Sequence, residues 1–267
     1  MTERIFQGLK TSADKIYIVE KVSESKDSFN IFCREDEKTY TIEKQYVFPL
    51  IKGGDSSPYQ ISETNLLILF PYKNGELIKV EILKSTAPKM WSYLNEHKTF
   101  LEKREDGKFK GPNWYSFGRS QALDVISSVK IFTPDIAPSP RFSFDKDGGF
   151  MFTGGVAGGY GIIPKPGISH KYLLAILNSQ ITAWYISKTS TQMRGGWYSF
   201  ESRYIKSIPI PKQPKDFSEL EKKVDQLLLM NEAKSTDTRA KLEKAIDKIV
   251  YQIYGLNDEE IKIVEAK

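Results

Sequence analysis

Arg194-Gly195-Gly196-Trp197-Tyr198 sets a guanidinium, two residues without side chains and two aromatic rings in succession. A guanidinium can fork onto a phosphate or onto the edge of guanine, paired glycines let backbone approach a phosphate closely, and aromatic rings can stack on bases. The same residues also suit a plain glycine turn with Trp197 and Tyr198 buried beneath it. Arg203 and Lys206 follow within reach of the same face and can hold phosphates, although solvated charge is an equally ordinary role for them. Lys10 and Thr11 lie in a Gly-led turn that either presents donors to phosphate or defines the fold, and Lys52 sits beside Gly53-Gly54. Arg119 and Gln121 have the side chains that read guanine and adenine through paired hydrogen bonds, but they are equally able to pair inside the protein. Lys108 and Lys110, in Asp106-Gly-Lys-Phe-Lys-Gly111, read as solvated.

Catalytic chemistry is not apparent. Gly154-Gly-Val-Ala-Gly-Gly-Tyr-Gly161 fails the dinucleotide spacing, Pro164 and Pro166 stand where a helix should follow, and a flexible or closely approached loop is the better reading. No two prolines are adjacent, which excludes the acidic or polar residue followed by two prolines and an aromatic that holds a flipped adenine in amino-methyltransferases. Pro134-Asp135 lacks the acid-x-lysine partner of a metal nuclease on the next strand. His97 and His170 are lone imidazoles for which the spacing nominates no carboxylate, so no metal site is expected. Gly-x-Ser-x-Gly does not occur. The expectation is a chain with no catalytic residues and no cofactor of its own.

The elements that must position these groups fit a chain of 267 residues, 40% hydrophobic and 27% charged, which can bury a full core. No apolar stretch approaches the roughly 20 residues of a membrane span and no signal peptide opens the sequence, so the expected location is the cytoplasm. Cys33 is the only cysteine and reads as a buried strand residue. The net charge of +5 divides unevenly: 12 acidic and 9 basic residues from Asp216 onward give −3, leaving +8 for residues 1–215. A basic body suits a polyanion.

Short alternating runs at 15–20, 29–33, 39–42, 66–70 and 77–82 predict a strand-rich layer, with Asn74-Gly75 closing a hairpin between the last two. Met90, Trp91, Leu94, Phe100 and Leu101 predict one helix over 88–104 with Pro88 in its first turn, and further strands are expected at 129–132, 141–144 and 150–152. Ser169 can cap a helix whose stripe runs from Leu173 to Tyr185. Beyond Pro209 and Pro211, Asp216 with Glu219 has capping-box spacing, and Leu220, Val224, Ile246 and Ile249 belong to two apolar stripes joined by Ser235-Thr-Asp-Thr238. These predict an antiparallel helical pair over 216–254, ended by Gly255, and Asn257 with Glu260 opens a short third helix. The expected organisation is α+β: a mixed sheet with packed helices over 1–211 and a C-terminal helical hairpin region over 212–267.

Several blocks in order resemble the TaqI-like C-terminal specificity domain family. Phe6-Gln-Gly-Leu-Lys-Thr11, Leu50-Ile-Lys-Gly-Gly-Asp55, Phe70-Pro-Tyr72, the Tyr93 to Arg104 helix and Trp114-Tyr-Ser-Phe-Gly-Arg-Ser-Gln121 are similar to its successive motifs. Leu177-Asn-Ser179, Arg194-Gly-Gly196, Ile208-Pro-Ile-Pro211 and the closing run Ile246 to Leu256 complete the series. The family follows the catalytic domain in many bacterial DNA adenine methyltransferases and in fused restriction-modification enzymes. The resemblance implies a non-catalytic domain that docks on double-stranded DNA while a separate domain, expected before Met1, methylates adenine with S-adenosylmethionine. With the residue chemistry described above, the expected DNA contacts are Lys10, Thr11, Lys52, Arg119, Gln121, Arg194, Gly195, Gly196, Arg203 and Lys206. Three alternatives stay open: a protein-interaction scaffold whose heptad helices bind another subunit, a separate specificity subunit of a multi-subunit restriction enzyme, and a nucleic-acid enzyme with an unrecognised site.

Overall fold

A computed structural model describes residues 2–230 and 236–266. The chain runs β1 (Thr2–Gln7), α1 (Asp14–Tyr17), β2 (Ile18–Glu24), β3 (Ser28–Cys33), β4 (Lys38–Glu43), β5 (Val47–Ile51), β6 (Leu66–Leu69), β7 (Tyr72–Lys73) and β8 (Glu76–Leu77). Helices α2 (Val80–Thr86), α3 (Pro88–Glu96) and α4 (Lys98–Gly107) follow, then β9 (Lys130–Pro134), β10 (Ile136–Ala137), β11 (Ser143–Asp145), β12 (Met151–Phe152) and β13 (Gly159–Pro164). The last part holds α5 (His170–Asn178), α6 (Gln180–Thr189), β14 (Gln192–Met193), β15 (Trp197–Ser199), α7 (Ser202–Ser207), α8 (Ser218–Leu228), α9 (Thr236–Tyr254) and α10 (Asp258–Glu265).

The fold is α+β. A six-stranded sheet has the order β12-β5-β6-β2-β3-β4, in which only β12 and β5 run parallel, and a four-stranded antiparallel sheet has the order β1-β13-β9-β11. Successive strand residues point to opposite faces, and that alternation places the four-stranded sheet between two cores. Phe6 and Phe132 face a core shared with the six-stranded sheet and α2 to α4, whereas Ile131 and Ile162 face a second core built by α5 to α9. Leu220, Val224 and Ile246 are fully buried in that second core, and Ile249 is half-buried against it. The C-terminal helices thus cover their stripes on the body itself: α8 and α9 pack on each other and both on α5. Ser235, at the start of the predicted connection between them, lies outside the described residues.

Several expectations need correction. The strand expected at 15–20 opens as α1, and the strand expected at 77–82 gives way after Leu77 to α2, because Val80, Leu83 and Ala87 share one helical face toward the core. Asn74-Gly75 does close a two-residue hairpin, with both residues at positive φ, but it joins the short β7 and β8. The 88–104 helix divides at His97, and the 173–185 helix divides at Ser179, whose extended backbone and hydroxyl cap α6. Phe217, not Asp216, is the residue before α8, and Asp216 instead accepts from the Ser218 amide. Strand β5 was not expected, since Pro49 interrupts its apolar run.

Asp247 on α9 accepts from the Gln180 amide at 2.9 Å, so α9 helps to seat α6. Burial pushes its carboxyl up to about 6, with Glu243 and Glu265 adding to the rise and the Gln180 amide opposing it. An acid with a raised folded pKa is stabilised as pH falls from that value toward the unfolded one, and the ionised form costs stability above it. Asp247→Asn keeps an acceptor for Gln180 and removes that cost. Its melting temperature should exceed that of the native chain at pH 7.5, by the equivalent of about 1–2 kcal/mol, with the difference closing toward pH 4. Parallel melting curves from pH 4 to pH 8 would contradict this.

Candidate nucleic-acid interface

Arg194, Gly195 and Gly196 form the tip of the β14–β15 hairpin, with Met193 paired to Trp197 and the Gly196 amide donating to the Met193 carbonyl at 3.3 Å. Both glycines have positive φ, a conformation costly for any residue with a Cβ, which explains the doublet. Arg194 is exposed and has no ion-pair or hydrogen-bond partner among the described residues. Trp197 is 38% exposed, which corrects the reading of it as core; Tyr198 is half-buried.

The hairpin is anchored at its base rather than at its tip. β15 pairs with β10, the Phe200 amide donates to the Asp135 carbonyl at 2.7 Å, and the Ser190 hydroxyl donates to the Ser199 carbonyl at 2.6 Å. A hydroxyl contact between Thr191 and Tyr204 ties the hairpin to α7, whose exposed face carries Arg203 and Lys206. Arg203 pairs with Glu201 at 3.0 Å and lies over the Tyr204 ring, while Lys206 has no charged partner among the described residues. Burial raises the Asp135 carboxyl above its ordinary range, and Glu201 adds to the shift.

The glycine-rich stretch connects the hairpin to the other candidates. Gly158 accepts from the Asp135 amide at 3.2 Å, the Gly53 amide donates to the Ala157 carbonyl at 3.1 Å, and the Gly8 amide donates to the Gly159 carbonyl at 3.2 Å. A Cβ on Gly158 would stand 1.7 Å from the Thr153 carbonyl oxygen, so the stretch is a close backbone crossing. The reading of residues 154–161 as closely approached backbone fits this geometry. Lys52 projects exposed from the turn beside Gly53, where the Asp55 carboxylate accepts its amide at 2.8 Å.

On the other side of the crossing, Lys10 and Thr11 meet the 118–121 segment. The Arg119 amide donates to the Lys10 carbonyl at 3.1 Å and the Gly118 amide to the Thr11 carbonyl at 2.9 Å. Thr11 is fully buried; its hydroxyl accepts from the Ala13 amide and donates to Asp14, so it defines the turn and is not free to hold phosphate. Gln121 spends its amide nitrogen on the Gly8 carbonyl at 2.6 Å, which removes the paired donor and acceptor that adenine readout needs. Arg119 pairs with Glu105 at 2.7 Å and holds that carboxyl below its usual range, while its own side chain stays 54% exposed. Lys10 is exposed with no side-chain partner among the described residues. A cleft of about 480 Å³ opens beside this turn, between Lys10, Phe100 and Gly154.

Arg104 is a positioning residue that sequence reasoning did not single out. It is 6% exposed and its guanidinium donates to the carbonyls of Leu101, Thr11 and Trp114 at 2.7–2.8 Å, with Phe109 stacked at 4.0 Å. A planar fork with five donors suits that task, joining the Lys10 turn to the loop that leads to Arg119. Only its place at the end of an apolar-striped helix hinted at burial.

Comparison with known proteins places these loops in a family. Over 224 residues the chain is 33% identical to the type II restriction enzyme and methyltransferase RM.Eco57I of Escherichia coli, covering 78% of this chain and 22% of that protein. It is 25% identical over 256 residues to the type II methyltransferase M.BanIII of Aneurinibacillus aneurinilyticus, covering 93% and 41% respectively. With M.XhoI of Xanthomonas vasicola the identity is 23% over 230 residues, covering 86% and 39%. The chain therefore spans between about a fifth and two fifths of the length of these relatives. Residues 48–210 match the family model of the TaqI-like C-terminal specificity domain, a stretch that contains every candidate contact except Lys10 and Thr11. The chain belongs to the TaqI-like C-terminal specificity domain family.

Proposed function

We propose that this chain is a sequence-specific recognition domain for double-stranded DNA, and that it positions an S-adenosylmethionine-dependent adenine methyltransferase domain lying outside it. The observation that carries this reading is an exposed Arg-Gly-Gly-Trp hairpin tip, without an acidic partner among the described residues, inside the stretch that matches a specificity-domain family. Arg194 is the candidate base reader, and the Gly195-Gly196 backbone lies against the duplex. Lys10, Lys52, Arg119, Arg203 and Lys206 hold phosphates, and Thr11 and Gln121 shape the turn that carries Lys10. Residues 1–211 act as the recognition unit, and residues 212–267 brace it through α5. The setting is a bacterial cytoplasm, and the parent enzyme, like RM.Eco57I, carries methyltransferase and restriction activity. The scaffold alternative is disfavoured because Leu220, Val224 and Ile246 are buried within the chain, leaving those stripes without a free face. The methyltransferase names of relatives much longer than this chain favour the fused arrangement over a separate specificity subunit.

The test is the salt dependence of binding to a random-sequence duplex pool. About five phosphate contacts give a log-log slope near −4.5, or about a five-hundredfold loss of affinity between 50 and 200 mM salt. Calorimetry with S-adenosylmethionine should show no saturable binding in the micromolar range. Failure to bind duplex at 50 mM salt, or binding insensitive to salt, would overturn the reading, and cofactor binding would overturn the division of labour.

A further inference from the structure

We propose that Cys33, Asp36 and His97 form a zinc-binding site that clips the turn between β3 and β4 to the C-terminal end of α3. The sequence separates Cys33 from His97 by 64 positions, and the fold brings the Cys33 Sγ to 3.8 Å from the His97 Nε2. The Asp36 Oδ2 stands 3.3 Å from the same nitrogen, and one ligand atom from each residue lies within 4.8 Å of the other two. Cys33 and His97 are buried, whereas Asp36 is half-buried and opens the cluster to solvent.

The histidine is oriented as a ligand. Its Nδ1 lies 2.9 Å from the Tyr93 carbonyl oxygen, which can only accept, so Nδ1 carries the hydrogen. In the neutral ring Nε2 then aims a lone pair at a carboxylate oxygen 3.3 Å away, and two acceptors at that distance repel unless a cation lies between them. That cation is either a proton on Nε2 or a metal ion held jointly with the thiolate. A backbone carbonyl fixing the far nitrogen is the usual support for a metal-bound imidazole, and the Tyr40 hydroxyl supports the Asp36 carboxylate in the same way.

The separations suit zinc. Tetrahedral Zn²⁺ with bonds of about 2.3 Å to sulfur, 2.0–2.1 Å to nitrogen and 2.0 Å to oxygen requires sulfur and nitrogen about 3.6 Å apart and nitrogen and oxygen about 3.3 Å apart. The observed 3.8 Å and 3.3 Å need little movement. A thiolate, an imidazole and a carboxylate form a mixed set that magnesium and calcium, which take oxygen ligands, do not favour. Three protein ligands leave one position for water on the open Asp36 side. Binding forms a Zn–S bond and releases the Cys33 thiol proton to buffer, with no change of oxidation state.

The untagged full chain, stripped with a chelator, would be titrated with Zn²⁺ by calorimetry and with Co²⁺ by absorption spectroscopy. One equivalent should bind with submicromolar affinity, and cobalt should show a thiolate charge-transfer band with tetrahedral d–d intensity. Saturating zinc should raise the melting temperature by about 5 °C or more. Asp36→Asn, on the solvent side of the cluster, and His97→Gln should each weaken zinc binding at least tenfold; circular dichroism would verify their folding. The proposal is overturned if the native chain binds no zinc tighter than 100 μM. It is equally overturned if cobalt gives no thiolate band, or if Asp36→Asn binds as tightly as the native chain; a proton alone then holds the carboxylate and imidazole together.

Discussion

Asp145→Ala is expected to destabilise the chain by about 3–5 kcal/mol. Asp145 and Lys130 are direct cross-strand partners on β11 and β9, their side chains are 3% and 0% exposed, and their charged atoms lie 2.5 Å apart. Burial pushes the Lys130 ammonium below its ordinary range and the Asp145 carboxylate opposes that shift, so the buried ammonium depends on its partner. Removing the carboxylate strands a buried ammonium with the Ser128 carbonyl, at 3.3 Å, as its remaining acceptor among the described residues. It also frees the Gly149 and Phe150 amides, which Asp145 accepts at 3.0 and 3.1 Å to close the turn into β12. The melting temperature should fall by about 10 °C or more at pH 7.5. Lys130→Met combined with Asp145→Leu removes both charges and should recover most of the loss, short of the two amide bonds. A fall of less than about 2 °C in Asp145→Ala would show that the pair contributes little.

The consequence reaches the candidate interface because β9 runs straight from Lys130 to Pro134, next to Asp135, whose carbonyl holds Phe200 and the hairpin. A softer β9 loosens the hairpin base without touching Arg194. Asp145→Ala should therefore lower affinity for duplex DNA less at 10 °C than near its own melting range, whereas a change at the contact itself acts at every temperature.

What the sequence conveyed well was local. Ser169 and Asn257 cap helices through hydroxyl or amide oxygens that reach two or three residues ahead, and Gly255 ends α9 with a positive φ; such signals need nothing distant. Errors arose where two patterns overlapped in one short run. Leu77-Ile-Lys-Val-Glu-Ile82 alternates like a strand, yet only Leu83 and Ala87 downstream show that its second half faces the core as a helix. Ser179 leaves no mark of a break in the sequence because α5 and α6 bury their stripes in the same core, so the hydrophobic pattern continues across it. The candidate site was visible in residue types but not in availability. Lys10, Arg194 and Lys206 are exposed without side-chain partners among the described residues, whereas Thr11 and Gln121 are consumed by bonds to Ala13, Asp14 and Gly8. The role of Arg104 depends on carbonyls 93 and 10 residues away, and that of Gly158 on a crossing of three loops. Neither has a periodic signature.

Arg194→Ala is expected to weaken binding of duplex DNA while leaving the fold unchanged, since the side chain is exposed and makes no contact that packing depends on. The size of the effect distinguishes its role. A guanidinium paired with a base should cost about 1–3 kcal/mol on the cognate duplex and much less on unrelated sequence, whereas one that only holds phosphate should weaken both alike and reduce the salt slope by about one. The anchored hairpin base favours the first outcome. The hairpin base is fixed by the pairing of β15 with β10, by the Phe200 amide on the Asp135 carbonyl and by Thr191 on Tyr204, so the backbone that carries Arg194 is presented in one place, and a side chain launched from a fixed backbone can select a base edge where one on a mobile loop follows the phosphates. The cognate sequence would first be selected from a random duplex pool, and the native chain and variant then titrated on cognate and scrambled duplexes at several salt concentrations. Gly195→Ala and Gly196→Ala serve as companions: each strains a positive-φ turn position and displaces Arg194 without removing its charge. If they lose discrimination like Arg194→Ala while keeping the native salt slope, placement of the guanidinium is what specifies sequence. Unchanged affinity of Arg194→Ala on both duplexes, with an unchanged melting temperature, would take the hairpin out of the interface and return the recognition role to the Lys10 and Arg119 side of the glycine crossing.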